Sequence, residues 1–242
     1  MAEALRWLAL LLAALVASTL AAVTGFGGAA VLLPFLVAAF GMRDAVPILT
    51  VAQLIGNASR VWFNRTELNW KVVGWFALGG VPLALAGGYL FATAPLRALT
   101  RMLGAFLLLV VVLRHVKPRW SRRFPAPVFA GIGAGASLLS ALLGSVGPLM
   151  APFFLAYGLV KGAYIGTEAL STVVMHVTKL IAYRQKAVLT GRDALIGLAL
   201  GPVMVFGSFA GKRVLDRLPE RIFVLMIEFV LLASGVMFLV RG

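Results

Sequence analysis

The chain has 242 residues, 62% hydrophobic and 12% charged, with a mean hydropathy of +1.01, more apolar surface than a soluble domain of this size can hide. Its net charge of +14, from 22 Lys and Arg against 8 Asp and Glu, falls mainly in short loops between apolar segments, which is the positive-inside pattern and headgroup contact rather than a nucleic-acid surface. There is no cysteine, so disulfides, thiolate nucleophiles and cysteine metal sites are excluded.

Stretches at 5–23, 72–92, 98–113 and 222–240 carry few or no charges. Each comes close to the ~20 residues that cross a ~30 Å hydrocarbon core. Lipid offers the backbone no partners, which leaves helices or a closed barrel. The apolar runs are continuous rather than alternating, so helices are expected. Arg6 and the apolar run from Trp7 resemble a signal peptide. The run extends far beyond a normal apolar signal region, and is read as part of the mature protein.

Residues 5–40 are too long for one crossing and short for two, at ~54 Å of helix. The interruption Thr24-Gly25-Phe26-Gly27-Gly28, followed by Val31-Leu32-Leu33-Pro34, predicts a re-entrant hairpin or two short crossings that meet at the glycines. Gly41-Met42-Arg43-Asp44 closes it. The next span, 45–63, carries Gln53, Asn57, Ser59 and Arg60, and a polar loop follows at 64–71. The span at 72–92 contains Gly79, Gly80, Gly87 and Gly88, small surfaces where helices approach closely. A turn at 93–95 leads to the span at 98–113. The basic stretch 114–125 then reads as a cytoplasmic linker between two halves, 1–113 and 126–242.

The second half repeats the order. A broken stretch at 126–160 is interrupted at Gly144-Ser145-Val146-Gly147-Pro148 and followed by Met150-Ala151-Pro152. The span at 163–183 carries Glu168, Ser171, Thr172, His176, Thr178 and Lys179, and spans at 194–211 and 222–240 complete the chain. Gly25, Gly28, Asn57 and Arg60 align with Gly144, Gly147, His176 and Lys179 at an offset of 119 residues. An internal duplication follows from this pattern. One hairpin plus three crossings is an odd number, so the second repeat is expected to be inverted. The fold expected is therefore an all-α polytopic membrane protein of two inverted-topology repeats, each a glycine-broken helical hairpin plus three transmembrane helices. With the linker in the cytoplasm, both termini lie outside, and twelve basic residues fall inside against seven outside.

Two apolar stretches broken at matching positions point to a transporter's substrate site. A helix starting at Gly27 or Gly28 within the membrane exposes free N–H groups and the positive end of its dipole. Glycine lets a ligand approach that backbone, and an anion site results. Gly147 opens the counterpart, and Thr24 and Ser145 offer hydroxyls. The other reading of these glycines is tight helix packing alone. Arg60 and Lys179 are intramembrane cations, each with a polar residue three positions earlier, Asn57 and His176, on nearly the same face. They suit an oxyanion; snorkelling of the two cations and helix–helix hydrogen bonds from Asn57 and His176 are the alternatives. Glu168 and Glu228 are the acids within spans, placed to pair with a buried cation or to carry a proton, and His176 could also take one up. No metal-ligand spacing, phosphate-cradling loop or nucleophile–base set is visible, so no enzyme and no cofactor is expected.

The Gly25-Phe26-Gly27-Gly28 break with Pro34, the 57–70 stretch, the glycine-rich span after it and the echo at 144–152 resemble the TauE/SafE family of sulfite and organosulfonate exporters. The second half departs from the pattern at Ser145-Val146. The resemblance implies secondary transport of a small sulfur-containing anion across a bacterial inner membrane, by a multi-pass protein whose partners are that anion and lipid. A homodimer is the assembly left open. Substrate-binding candidates are Thr24, Gly25, Gly27, Gly28, Asn57, Arg60, Ser145, Gly147, His176 and Lys179. A non-transporting scaffold or enzyme subunit and an anion channel are the competing classes.

Overall fold

The computed structural model describes residues 2–115, 124–144, 146–214, 232, 236 and 238–240, and among these every regular element is an α-helix. The helices are α1 (Ala2–Thr24), α2 (Gly28–Phe63), α3 (Trp70–Thr93), α4 (Leu96–His115), α5 (Val128–Leu143), α6 (Gly147–Tyr157), α7 (Lys161–Gln185) and α8 (Gly191–Val214). Among the described residues four stretches are long and apolar enough to cross a membrane: Glu3–Thr24, Gly28–Phe63, Trp70–Thr93 and Gly191–Gly211. Glu228, Ser145, the 116–123 part of the linker and most of the 222–240 span lie outside the described residues.

The first hairpin is less symmetric than its sequence suggests. Helix α1 has 23 residues, ~34 Å at 1.5 Å per residue, and can cross a bilayer alone. The returning arm is shorter. It occupies the start of α2 and stops at Gly41, whose φ of 77° and ψ of 166° break the helix in two. The second hairpin is short in both arms, 16 residues in α5 and 11 in α6.

Small residues set the packing. Gly80 lies against Ser137, Gly133 against the Phe76 backbone, and Gly87 against Leu138 and Ala141, so α3 and α5 approach closely. The contacting positions advance along both helices together, from Gly79 with Ala130 to Gly87 with Ala141, so the two run parallel. Gly197 meets Ile48 and Val51, Gly201 meets Ile55, and Gly56 meets Met204, so α8 runs parallel to the second part of α2. Gly211 lies against Thr19 and Ala22 of α1. Helix α7 runs antiparallel to α2, with Gly166 beside Asn64 and Glu168 beside Arg60.

The pairings are reciprocal. α1 packs on α8 as α3 packs on α5, α2 on α8 as α3 on α7, and α2 meets α7 between them. Side-chain polarity is inside-out: Leu8, Leu12, Leu78, Leu195 and Phe206 are exposed, whereas Gln53, Asn57, Arg60, Glu168, His176 and Lys179 are buried. A hydrocarbon surround accounts for that distribution, because lipid carries no penalty for apolar surface while interior polar groups find partners in the bundle. Exposed Trp62 and Trp70 flank the 64–69 loop, where indole rings favour the headgroup level.

Candidate functional site

Both chain reversals are built on left-handed glycines: φ is 78° at Gly25, 90° at Gly27 and 79° at Gly144. A side chain at such φ values is strained, so these positions favour glycine for conformational reasons. The first reversal is also tied by Thr24, whose Oγ1 lies 2.7 Å from Phe26 O and 3.0 Å from Leu20 O. Thr24 therefore serves its own turn rather than offering a free hydroxyl. Tyr164 donates from its hydroxyl to Thr24 O at 3.1 Å and packs over Gly25.

The two reversals meet. A Cβ added at Gly147 would stand 3.0 Å from that of Phe26. Helices α2 and α6 thus begin side by side, and neither N-cap, Gly27 or Val146, supplies a capping side chain. In α2 the first backbone donor returned to the turn is Val31 N–H, to Gly27 O at 3.1 Å, so the N–H groups of the preceding first turn have no i−4 carbonyl. In α6 the contribution is smaller. Pro148 has no N–H, which suits the first turn, and Leu149 N–H already bonds Val146 O at 2.9 Å.

Behind these helix starts lies a buried polar layer. Arg60 donates to Gly25 O at 2.9 Å and Ala21 O at 3.0 Å, and also bonds Asn57 Oδ1. Its counter-charge is Glu168, at 3.5 Å; the other Glu168 oxygen accepts from Thr172 at 3.1 Å. Lys179 is fully buried and donates to Ser140 O at 3.2 Å and Ser140 Oγ at 3.0 Å. Neither cation snorkels.

A cavity of about 40 Å³, the room open to the centre of a water-sized sphere, sits at this junction. It is lined by Gly25, Gly27, Gly28, Asn57, Arg60, Gly147 and His176, and also by Gln53, Ser140, Glu168 and Thr172. Thr24 and Lys179 do not line it; Lys179 stands behind Ser140. Two of its polar groups, Gln53 Nε2 and His176 Nδ1, are buried with no hydrogen-bond partner. Such groups are costly to leave unsatisfied and point to a ligand or water in the cavity. Gln53 and Thr172, not singled out as ligands above, sit one helical turn before Asn57 and His176 and stand 119 residues apart like them. That shared offset is the signal that would have found them. No cluster of three potential metal ligands occurs among the described residues.

An apolar exterior, a buried polar layer and two broken helices that start at one small cavity define a polytopic membrane protein of the transporter class. The family model for the sulfite exporter TauE/SafE matches residues 10–238. The chain belongs to the TauE/SafE family, whose members are membrane transporters. Comparison with curated proteins and with solved structures gave no match.

Proposed function

We propose that this protein is a secondary transporter that exports a small sulfur oxyanion, sulfite or a short organosulfonate, across the bacterial inner membrane. The observation that carries the reading is the meeting of two uncapped helix starts, at Gly28 and Gly147, on one cavity. Both dipoles present their positive ends to the same point. The anion's oxygens would take the first-turn N–H groups of α2, the Gly147 N–H and the amide of Gln53. His176, unpartnered at Nδ1, would donate when that nitrogen carries its proton. Asn57 holds the Arg60 guanidinium in place.

Charge supports an anion over a cation or a neutral solute. Arg60 is balanced by Glu168, but Lys179 has only the carbonyl and hydroxyl of Ser140 and no carboxylate among the described residues. A buried amine without a carboxylate partner holds its proton more readily when an anion is delivered nearby. Ser145 belongs to the proposed second half-site by its place in sequence.

Alternating access fits the duplication. The two halves, 1–113 and 126–242, would be inverted repeats, and the reciprocal pairing of α1 with α8 and α3 with α5 supports that relation. Rocking of one repeat against the other would open the cavity to either side. The test is uptake of [35S]sulfite into proteoliposomes. Saturable flux that falls at least tenfold in Gln53→Ala/His176→Ala is expected. Flux that stays linear in concentration over the whole range would sink the carrier reading in favour of a channel.

A further inference from the structure

Arg60 lines a second cavity as well as the first. This one is larger, about 430 Å³, and lies where α1, α2 and α8 finish and α7 begins. Its polar lining comes from Arg60, Asn64, Lys161 and Ser208, and among the described residues no carboxylate lines it. Glu168 contacts Arg60 and lines the central cavity, not this one; Glu67, in the 64–69 loop, comes close to Gly162 without lining the space.

Three observations point to a ligand there. Ser208 is only 2% exposed, and its hydroxyl has no partner among the described residues, which a buried donor seldom tolerates. Helix α7, 25 residues long, begins at Lys161 and Gly162 with no side-chain cap hydrogen bond, so its first-turn N–H groups stand at the cavity wall, with the Glu67 carboxylate and the Asn64 side-chain oxygen beside Gly162. Lys161 puts an exposed ammonium at the rim. A buried hydroxyl, an uncapped helix start and the Lys161 ammonium form a donor set for an oxyanion, beside an Arg60 already paired with Glu168.

We propose that this cavity is a second oxyanion site, separated from the central one by the Arg60 side chain. Its volume, about 430 Å³ against about 40 Å³, admits a larger anion than the central cavity does. The bound group is a sulfur or phosphorus oxyanion, free in solution or carried on a lipid headgroup. Its binding stands apart from the transport reading. Its role as a loading station, from which the anion passes beside Arg60, rests on that reading.

The experiment is equilibrium dialysis of the full-length protein against [35S]sulfite under nitrogen, in lipid-free non-ionic detergent. Two classes of site per chain are expected, the weaker one rising at least tenfold in Kd in Lys161→Gln/Ser208→Ala. Ser208→Ala alone removes one hydroxyl and should weaken it about threefold, which covers the case of a poorly folded double variant. One class of site in the wild type, or an unchanged weak site in both variants, overturns the proposal. Gln53→Ala/His176→Ala should remove the tight class and leave the weak one; if it changes neither, the central-site reading fails while the second site stands. Repeating the titration in nanodiscs of phosphatidylglycerol and of phosphatidylcholine separates the sources. Loss of the weak class only in phosphatidylglycerol, with less co-purified phosphatidylglycerol in the double variant, assigns a lipid phosphate; persistence in both assigns the free anion.

Discussion

Lys179 donates to the carbonyl oxygen of Ser140, 39 residues earlier in the chain, at 3.2 Å. Arg60 donates to that of Ala21 across the same separation of 39 residues, at 3.0 Å. Each cation therefore ties a polar span to the first arm of the hairpin that precedes it. The surroundings then diverge. Arg60 faces Glu168, and the position 119 residues before Glu168 holds Leu49, so one half of the molecule has an acid for which the other has no counterpart. The central field is thus asymmetric even though the hydrogen-bond frame is matched.

Removing the unbalanced charge should weaken anion handling more than it weakens the fold. A unit charge about one side chain away is worth about 2 kcal/mol at an effective dielectric constant of ~20. Lys179→Met keeps an aliphatic stem of similar length in the same space. Proteoliposome uptake should fall at least about tenfold at low sulfite, the equivalent of ~1.4 kcal/mol. Uptake at the wild-type level, from an equal amount of inserted protein, would remove Lys179 from the electrostatics of the site.

The ion pair gives the opposite pattern. Glu168→Gln leaves the buried guanidinium with carbonyls and Asn57 but no counter-charge. Breaking one partner of a buried pair costs about 3–5 kcal/mol, so the thermal midpoint in detergent should drop by several degrees. Glu168 is also the one acid among the described residues that lines the central cavity, and its loss should tighten sulfite binding severalfold. Thermal unfolding and dialysis on one preparation read both effects. A lower midpoint with unchanged affinity would mean that the acid serves the fold alone.

Much of this was legible in the sequence, because membranes constrain chains strongly. Continuous apolar runs gave the helices, and the glycines at 24–28 and 144–148 gave the breaks, since left-handed φ values select glycine at Gly25, Gly27 and Gly144. Asn57, Arg60 and His176, singled out as polar residues inside spans, all line the central cavity. Less legible was what each polar group touches. Thr24 is bound within its own turn, Lys179 stands behind Ser140, and Gln53 lines the cavity without a partner. Those differences depend on how neighbouring helices are placed, and helix periodicity carries no record of that. The unequal arms of the first hairpin were also hidden, because an apolar run does not mark where a hairpin arm meets the membrane edge.

Two glycines separate packing from binding. At Gly88 an added Cβ would lie 2.5 Å from that of Ala182, deep in the contact of α3 with α7. Gly88→Ala should cost about 1–3 kcal/mol by overpacking and leave sulfite Kd within twofold. Gly147 faces Phe26 across the helix starts, so Gly147→Val should instead raise Kd at least tenfold with a smaller change in midpoint. Reversal of the two profiles would show that the second break is a packing device and not a half-site.

Size separates the candidate anions. A water needs roughly 10–15 Å³ of space open to its centre, so a central cavity of about 40 Å³ holds about three waters. Sulfite, with four heavy atoms, replaces that number of waters with little rearrangement. A two-carbon aminosulfonate brings several more heavy atoms, and in this conformation it has to displace Met150 or Met175, which also line the cavity. Methionine side chains are flexible enough to move, but each ordered anew costs conformational entropy. Sulfite should therefore compete for the tight site at least tenfold better than the aminosulfonate. In Met175→Ala the gap should narrow to about threefold, because the truncated side chain leaves the extra volume open. Competition dialysis on the wild type and this variant measures both ratios. Equal affinities in the wild type would show that the site opens before it binds, so that the closed cavity does not set the choice of anion.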